Sequence, residues 1–394
     1  MKNLKQATLG SVAAAMMLAS TAGAATDFKI GGLLDVVASE RGAAFDFNLL
    51  TRGDSSFDPF SLRVFGEARV NDRLQILSQV VLRDASGLYI DGAYLVYTPN
   101  MNYDFNFTAG KIPWPIGTWA PRTYSDRNPL VGTPLMYQYH TTVLWWEIPP
   151  SADALLATAG SGQTNVDYYG YPMGRGAAIV DDSYWDVGAT ITGSRRPLEY
   201  SIGVVAGTPG WGSTSQDENS GKSWLGRIGL APHPSLRFGV SGSTGPYLIQ
   251  SLNPNLPPGK HVNDYHQELM MADFELQTGH VELRAEGARN IWESPTVGDL
   301  EATSGYAELK VSHASGVFAA GRADMIQFGD IQDSGGVNRP WDSDVTRLET
   351  GVGYRFDRSV TGKVVYQFTT VAAGGPRTEE MRLSLVAAQL SVRF

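Results

Sequence analysis

Cysteine is absent from the 394-residue chain. That excludes disulfides, thiolate metal sites and thiol nucleophiles, and in an oxidising compartment it removes any risk of mispairing. Charge is also scarce, at 18% of residues against about a quarter in ordinary soluble domains. After the N-terminal segment no apolar run reaches about 18 residues, so the sequence holds no candidate transmembrane helix. An excess of basic charge is missing too. The net charge of −9 argues against a nucleic-acid partner, which would want a basic face. Glycine, by contrast, is plentiful, with 44 residues.

The first residues read MKNLKQATLGSVAAAMMLASTAGAA. Lys2 and Lys5 precede an apolar stretch that ends in Ala22-Gly23-Ala24, the layout of a secretory signal peptide over 1–24. An exported chain without a helical span is then either soluble or a β-barrel, which would occupy 25–394.

Period-two alternation recurs along that region. SLRVFGEARV sets Leu62, Val64, Gly66 and Ala68 against Arg63, Phe65, Glu67 and Arg69. GHVELRAEGAR sets Val281, Leu283 and Ala285 against Glu282, Arg284 and Glu286, and the final AAQLSVRF sets Ala388, Leu390, Val392 and Phe394 against Gln389 and Arg393. Such segments are strands with one apolar and one polar face. They run for about 9–12 residues, the length of a tilted strand crossing a bilayer. Short connections at 70–73, 98–102, 193–197, 232–235, 278–280, 313–316 and 357–359 alternate with longer ones rich in Gly, Pro, Asp and Asn. Short turns at one end and long loops at the other are how outer-membrane barrels are built.

The pattern predicts an all-β fold, a 16-stranded antiparallel transmembrane β-barrel. Its strands are expected at 28–38, 60–70, 73–83, 89–98, 102–110, 183–193, 198–208, 223–231, 235–244, 265–277, 280–289, 303–313, 316–327, 346–356, 360–370 and 383–394. Alternation is least clear in the fourth and tenth. An arginine in mid-bilayer costs roughly 2–4 kcal/mol, so the polar faces are expected to look inward and the apolar faces to meet lipid. Trp185, Trp224, Tyr97, Tyr103, Tyr354, Tyr366 and Phe368 are then placed on the outer face, several at the level of an interfacial aromatic girdle. The last strand is expected to close on the first, because an open sheet edge is not tolerated in lipid.

The connection over 111–182 is a long third extracellular loop, far beyond ordinary loop length. Its prolines at 113, 115, 121, 129 and 134 deny it long regular elements. Its Trp114, Trp119, Trp145 and Trp146 need cover from water. The expectation is that the loop folds into the lumen, with Arg122, Asp126 and Arg127 at a constriction; a surface cap or subunit contact is the other reading. The expected pore-lining set is Arg63, Glu67, Arg69, Arg237, Glu282, Arg284, Glu286, Glu308, Lys310, Arg322, Asp324, Arg347, Glu349 and Arg355.

Sixteen strands with the third loop longest resemble a general bacterial porin, and TAGKIPWPIG at 108–117 is similar to a turn of the phosphate-selective porin family. A C-terminal phenylalanine closing an alternating strand also resembles the assembly signal of outer-membrane barrels. The porin resemblance implies a homotrimer in the bacterial outer membrane. In this chain lysines are few, and the inward arginines are matched by inward acids.

No phosphate-binding loop, zinc-spaced histidine pair or nucleophile elbow is present. His261 and His266 near Asp264 and Glu268 read as loop residues rather than a metal site. Asp330, Asp333, Asp342 and Asp344 read as a solvated acidic loop. No cofactor is expected and no enzyme activity. The leading reading is a channel passing small hydrophilic solutes or ions by passive diffusion through outer-membrane lipid. The alternative is a closed barrel serving as an enzyme or adhesion scaffold.

Overall fold

The computed structural model describes residues 27–41, 60–83, 87–99, 104–160, 176–181, 185–211, 219–375 and 378–394. The proposed signal segment over 1–24 and Tyr103 lie outside them. The strands are β1 (Asp27–Arg41), β2 (Phe60–Arg69), β3 (Leu74–Arg83), β4 (Gly87–Tyr97), β5 (Phe105–Pro113), β6 (Trp185–Arg195), β7 (Leu198–Val205), β8 (Ser223–His233) and β9 (Leu236–Pro246). They continue with β10 (His266–Thr278), β11 (Val281–Ser294), β12 (Gly298–Ser312), β13 (Val317–Phe328), β14 (Asp330–Gln332), β15 (Asn338–Pro340), β16 (Val345–Arg355), β17 (Val360–Val371) and β18 (Met381–Arg393). β14 and β15 form a separate hairpin, and the other sixteen make one closed antiparallel barrel.

Closure joins β1 to β18, with Leu33 opposite Arg393 and Val37 opposite Gln389. Phe394 extends the seam by exchanging backbone hydrogen bonds with Gly32 at 2.7 and 3.0 Å. Its ring lies over Gly32, where a Cβ would come within 2.3 Å of it. The lack of a side chain at that position is what admits the ring.

Alternation sorts the faces as the sequence implies. Val64, Ile202, Val240, Leu348, Val352 and Val364 are exposed on the outer wall, and Trp224, Tyr97, Tyr354, Tyr366 and Phe368 are exposed with them. Trp185 departs from this. It packs on Tyr94, with ring centroids 6.1 Å apart, and covers Gly92, where a Cβ would meet the indole at 2.3 Å. Gly92 pairs with Gln79 beside a register shift between β3 and β4. The missing side chain leaves a recess on the inner wall, and the indole at the start of β6 turns in to fill it. Because Val64 sits in mid-strand on the lipid side, Val64→Arg is expected to cost about 2–4 kcal/mol and to impair assembly. Arg63→Gln should assemble, since it adds no charge to the outer wall. Heat-modifiable mobility on gels checks both, and equal loss from the two substitutions would mean the register is off by one.

The main core lies inside the barrel. The β5–β6 connection supplies Trp119, Leu135, Met136, Tyr137, Tyr139, Val143, Trp145, Leu155 and Ile179. The wall supplies Leu225, Leu269, Met271, Ala288, Trp292, Leu300, Ala302, Ile326, Phe328, Val345, Val371 and Leu383. At the long-loop end, therefore, the inner faces of many strands are apolar. This is why β11 and β12 run further toward that end than alternation predicts: Trp292 and Leu300 sit on the added length and are buried.

Asp342, just before β16, ties the connection down. Its carboxylate accepts backbone N–H groups from Thr142 at 3.1 Å, Gly160 at 2.6 Å and Ser343 at 2.8 Å. Burial nonetheless pushes its pKa up to about 6, against the opposing pull of those hydrogen bonds. The folded state thus holds the proton more tightly than the unfolded chain does. The stabilisation is complete below the ordinary carboxylate value and is lost as pH rises through about 6, amounting to roughly 3 kcal/mol. Asp342→Asn should flatten that part of the pH–stability profile between pH 4 and 7 in thermal unfolding of the detergent-solubilised protein. An unchanged difference between the two proteins across this window would rule the assignment out.

Candidate functional site

The segment 117–138 crosses the barrel, held mostly by β9–β18 and tied to β1 and β3 through Asp35 and Gln79. Gly117 takes a left-handed conformation, φ +59°, and its N–H donates to the Ser241 hydroxyl at 3.0 Å. Thr118 donates to Glu286 through both its backbone and its hydroxyl. The Tyr137 hydroxyl donates to the other oxygen of the same carboxylate at 2.6 Å. Trp119 is fully buried, stacked on Tyr137, with the Arg122 and Arg322 guanidinium groups over its ring at 5.3 and 5.8 Å.

Arg122 is buried rather than facing open space. It donates to the Tyr306 hydroxyl at 3.0 Å and lies 3.7 Å from both Glu275 and Glu308. Burial works against its charge, but the surrounding Tyr306, Glu286, Glu308 and Glu275 outweigh that and raise its pKa. Next, Ser125 donates to Asp35, and Asp126 pairs with Arg393 at 2.6 Å. The Lys363 ammonium donates to the carbonyls of Ser125, Asn128 and Leu130 at 2.8, 2.9 and 3.0 Å. Val131 and Gly132 then donate through their backbones to Glu349 at 3.1 and 2.7 Å, and Leu135 to Asp324 at 3.0 Å. A Cβ at 132 would sit 2.3 Å from a Glu349 oxygen, so a side chain there would push the carboxylate off its backbone donors.

Arg322 is the hub of this wall. Its side chain is completely buried and pairs with Glu308 at 3.4 Å, Asp324 at 3.2 Å and Glu349 at 2.7 Å, and it donates to the Gly132 carbonyl at 2.9 Å. Arg347 donates to Gln138 at 2.6 Å and to Thr369 at 2.9 Å. Toward the short-turn end the network continues through Arg284, which pairs with Glu275, Glu282 and Glu308. Lys310 pairs with Glu282, and Arg237 with Glu199 and Glu275. Arg63 pairs with Asp35 at 3.4 Å. Glu67 lies 3.9 Å from Lys29, while Arg69 reaches the turn residue Asp72. Arg355 is exposed at the end of β16.

The opposite side of the lumen holds two cavities. A cavity of about 870 Å³ runs along β4–β8, from Pro113 and Trp185 at one end to Ser194 and Glu199 at the other. A second, of about 290 Å³, lies against β1–β4. Tyr94, Tyr124 and Trp185 border both. Tyr124 is held by its hydroxyl, which donates to Gln79 at 2.7 Å, and by edge contact with Phe65 at 5.5 Å. Burial pushes its pKa up to about 12. Arg127 borders the larger cavity and lies over the Tyr124 ring at 5.7 Å.

The barrel can be compared with known proteins on this geometry. No protein-family model matches the chain, and no curated protein does. Solved structures do match in shape. The anion-selective porin from Comamonas acidovorans aligns over 94% of this chain and 100% of its own, with TM-score 0.56 and 9% identity. OmpF of Salmonella typhi, in complex with daunomycin, aligns over 93% and 97%, with TM-score 0.56 and 11% identity. OmpT of Vibrio cholerae, in trimer form, aligns over 94% and 100%, with TM-score 0.54 and 11% identity.

The fold is porin-like. A closed barrel of this kind with an apolar outer wall places the protein in the outer membrane. On a porin-like barrel the inward charges divide between those that hold the crossing segment and those beside the cavities. The first group also includes Asp35 and Lys363, and the second the pair Arg227–Asp273, bidentate at 2.9 and 2.6 Å, none of which the sequence reading singled out. The same alternation marks them, since Lys363 shares its face with Gln367 and Thr369. His261 caps a short 3-10 turn through Asn263 and Asp264, and His266 donates its backbone N–H to Glu293.

Proposed function

We propose that this protein is an outer-membrane channel through which small hydrophilic solutes diffuse along the β1–β8 side of the lumen. The observation that carries the reading is the division of the interior. The crossing segment is bound by ion pairs and hydrogen bonds mainly to β9–β18, with ties to β1 and β3 through Asp35 and Gln79, while the cavity of about 870 Å³ follows β4–β8. In this reading Glu67, Arg127 and Arg227 line the path. Arg122, Glu286, Glu308, Arg322, Asp324, Arg347 and Glu349 hold the loop that narrows it, and Asp126 fixes the loop tip. Lining charges of the larger cavity are Asp104 and Glu199 against Arg127 and Arg227. Those of the smaller are Lys29 against Glu67. This balance supports weak charge selectivity rather than the phosphate preference suggested by the TAGKIPWPIG turn. A homotrimer is part of the proposal, supported by the trimer form of the Vibrio protein.

The apolar packing at the long-loop end favours a second reading, a closed barrel acting as a scaffold. Reconstitution into a planar bilayer separates the two. The channel reading expects discrete conductance steps, with a reversal potential in a KCl gradient close to that set by bulk mobilities. A purified, folded protein giving no steps would favour the closed barrel.

A further inference from the structure

The lining of the open path suggests what passes along it. Three rings, Tyr94, Tyr124 and Trp185, border both cavities, and Phe65 lines the smaller one beside Tyr124. Around them the larger cavity offers neutral polar groups, among them Thr98, Asn106, Thr108, Thr192 and Ser201. Its charges cancel, and Arg227 is engaged by Asp273 and Glu199. An ion gains no net attraction from such a lining. An acyclic polar solute gains hydrogen bonds but, lacking a fixed C–H face, less from the rings. A neutral polyhydroxylated ring gains both, because its C–H face packs on an aromatic surface while its rim hydroxyls meet the hydroxyl and amide side chains. The volume lies within the usual range for small-ligand sites, roughly 300–1,000 Å³.

We propose that the path holds a binding site for neutral cyclic sugars, centred on Tyr94 and Trp185. This rests on the channel reading above. The test is single-channel current in a planar bilayer with glucose, its open-chain counterpart sorbitol and its anionic counterpart gluconate added in turn. Glucose is expected to interrupt the current at concentrations at least fivefold lower than sorbitol or gluconate. Trp185→Ala combined with Tyr94→Ala should abolish that difference while keeping or raising the conductance. Trp185→Phe should retain it, and also guards against a double variant that fails to assemble. Equal effects of the three solutes on the wild-type current would overturn the sugar site and leave the channel standing. So would strongest block by gluconate, or a glucose preference that survives in an assembled double variant. Absence of any current would overturn both proposals.

Discussion

Arg322→Met is expected to be the most damaging single substitution inside the barrel. The guanidinium serves three carboxylates and the Gly132 carbonyl at once. Its removal takes the shortest ion pair from Asp324 and Glu349, leaving them backbone N–H donors, and leaves Glu308 with the longer pairs to Arg122 and Arg284 at 3.7 and 3.8 Å. Breaking a buried ionic network by deleting one partner typically costs about 3–5 kcal/mol, because the remaining charges stay uncompensated. Thermal unfolding in detergent should show that loss, and limited proteolysis should cut within 118–138 where the wild type resists. Pairing the change with Glu349→Gln should recover part of the stability, since one of the remaining charges is gone. If Arg322→Met unfolds like the wild type, the network is not what fixes the segment.

Lys363→Met should have the second-largest effect, more local in reach. One buried ammonium satisfies three carbonyls in the turn 125–130. A methionine fills similar volume but leaves those acceptors without a donor, at about 1–3 kcal/mol for each buried group that water cannot reach. The turn also contacts the β1 side through Ser125 and Asp35 and the end of β18 through Asp126 and Arg393. The expected result is a barrel that assembles but whose turn moves, seen as added noise in the open-channel current and cleavage after Arg127. Quiet current with no new cleavage would mean that Lys363 is dispensable to the turn.

Strand count, the two faces and barrel closure were legible in the sequence because lipid and water impose one rule on every strand. Arg63 and Val64 can be sorted by that rule without knowledge of any neighbour. The lumen is different, because the crossing segment replaces water there. Leu269, Met271, Trp292 and Phe328 face inward yet are apolar, since loop side chains cover them. The only trace in sequence is the loss of alternation in the tenth strand, where Leu269, Met270 and Met271 follow one another. Trp185 faces inward for a reason set by Gly92, more than ninety positions earlier in the chain, which a period-two pattern does not carry. Arg122 has the composition of a constriction residue, but the Tyr306, Glu275 and Glu308 that surround it come from strands far away in sequence.

The position of the path along β4–β8 is directly measurable, because the chain lacks cysteine. Single cysteines placed at Thr108 and Thr192 on the cavity side, and at Gln367 and Thr369 on the packed side, can be challenged with a charged, membrane-impermeant thiol reagent during current recording. Current is expected to fall irreversibly in the Thr108→Cys and Thr192→Cys proteins and to stay unchanged in Gln367→Cys and Thr369→Cys. Block confined to the β17 pair, with the β5 and β6 cysteines silent, would contradict a path along β4–β8.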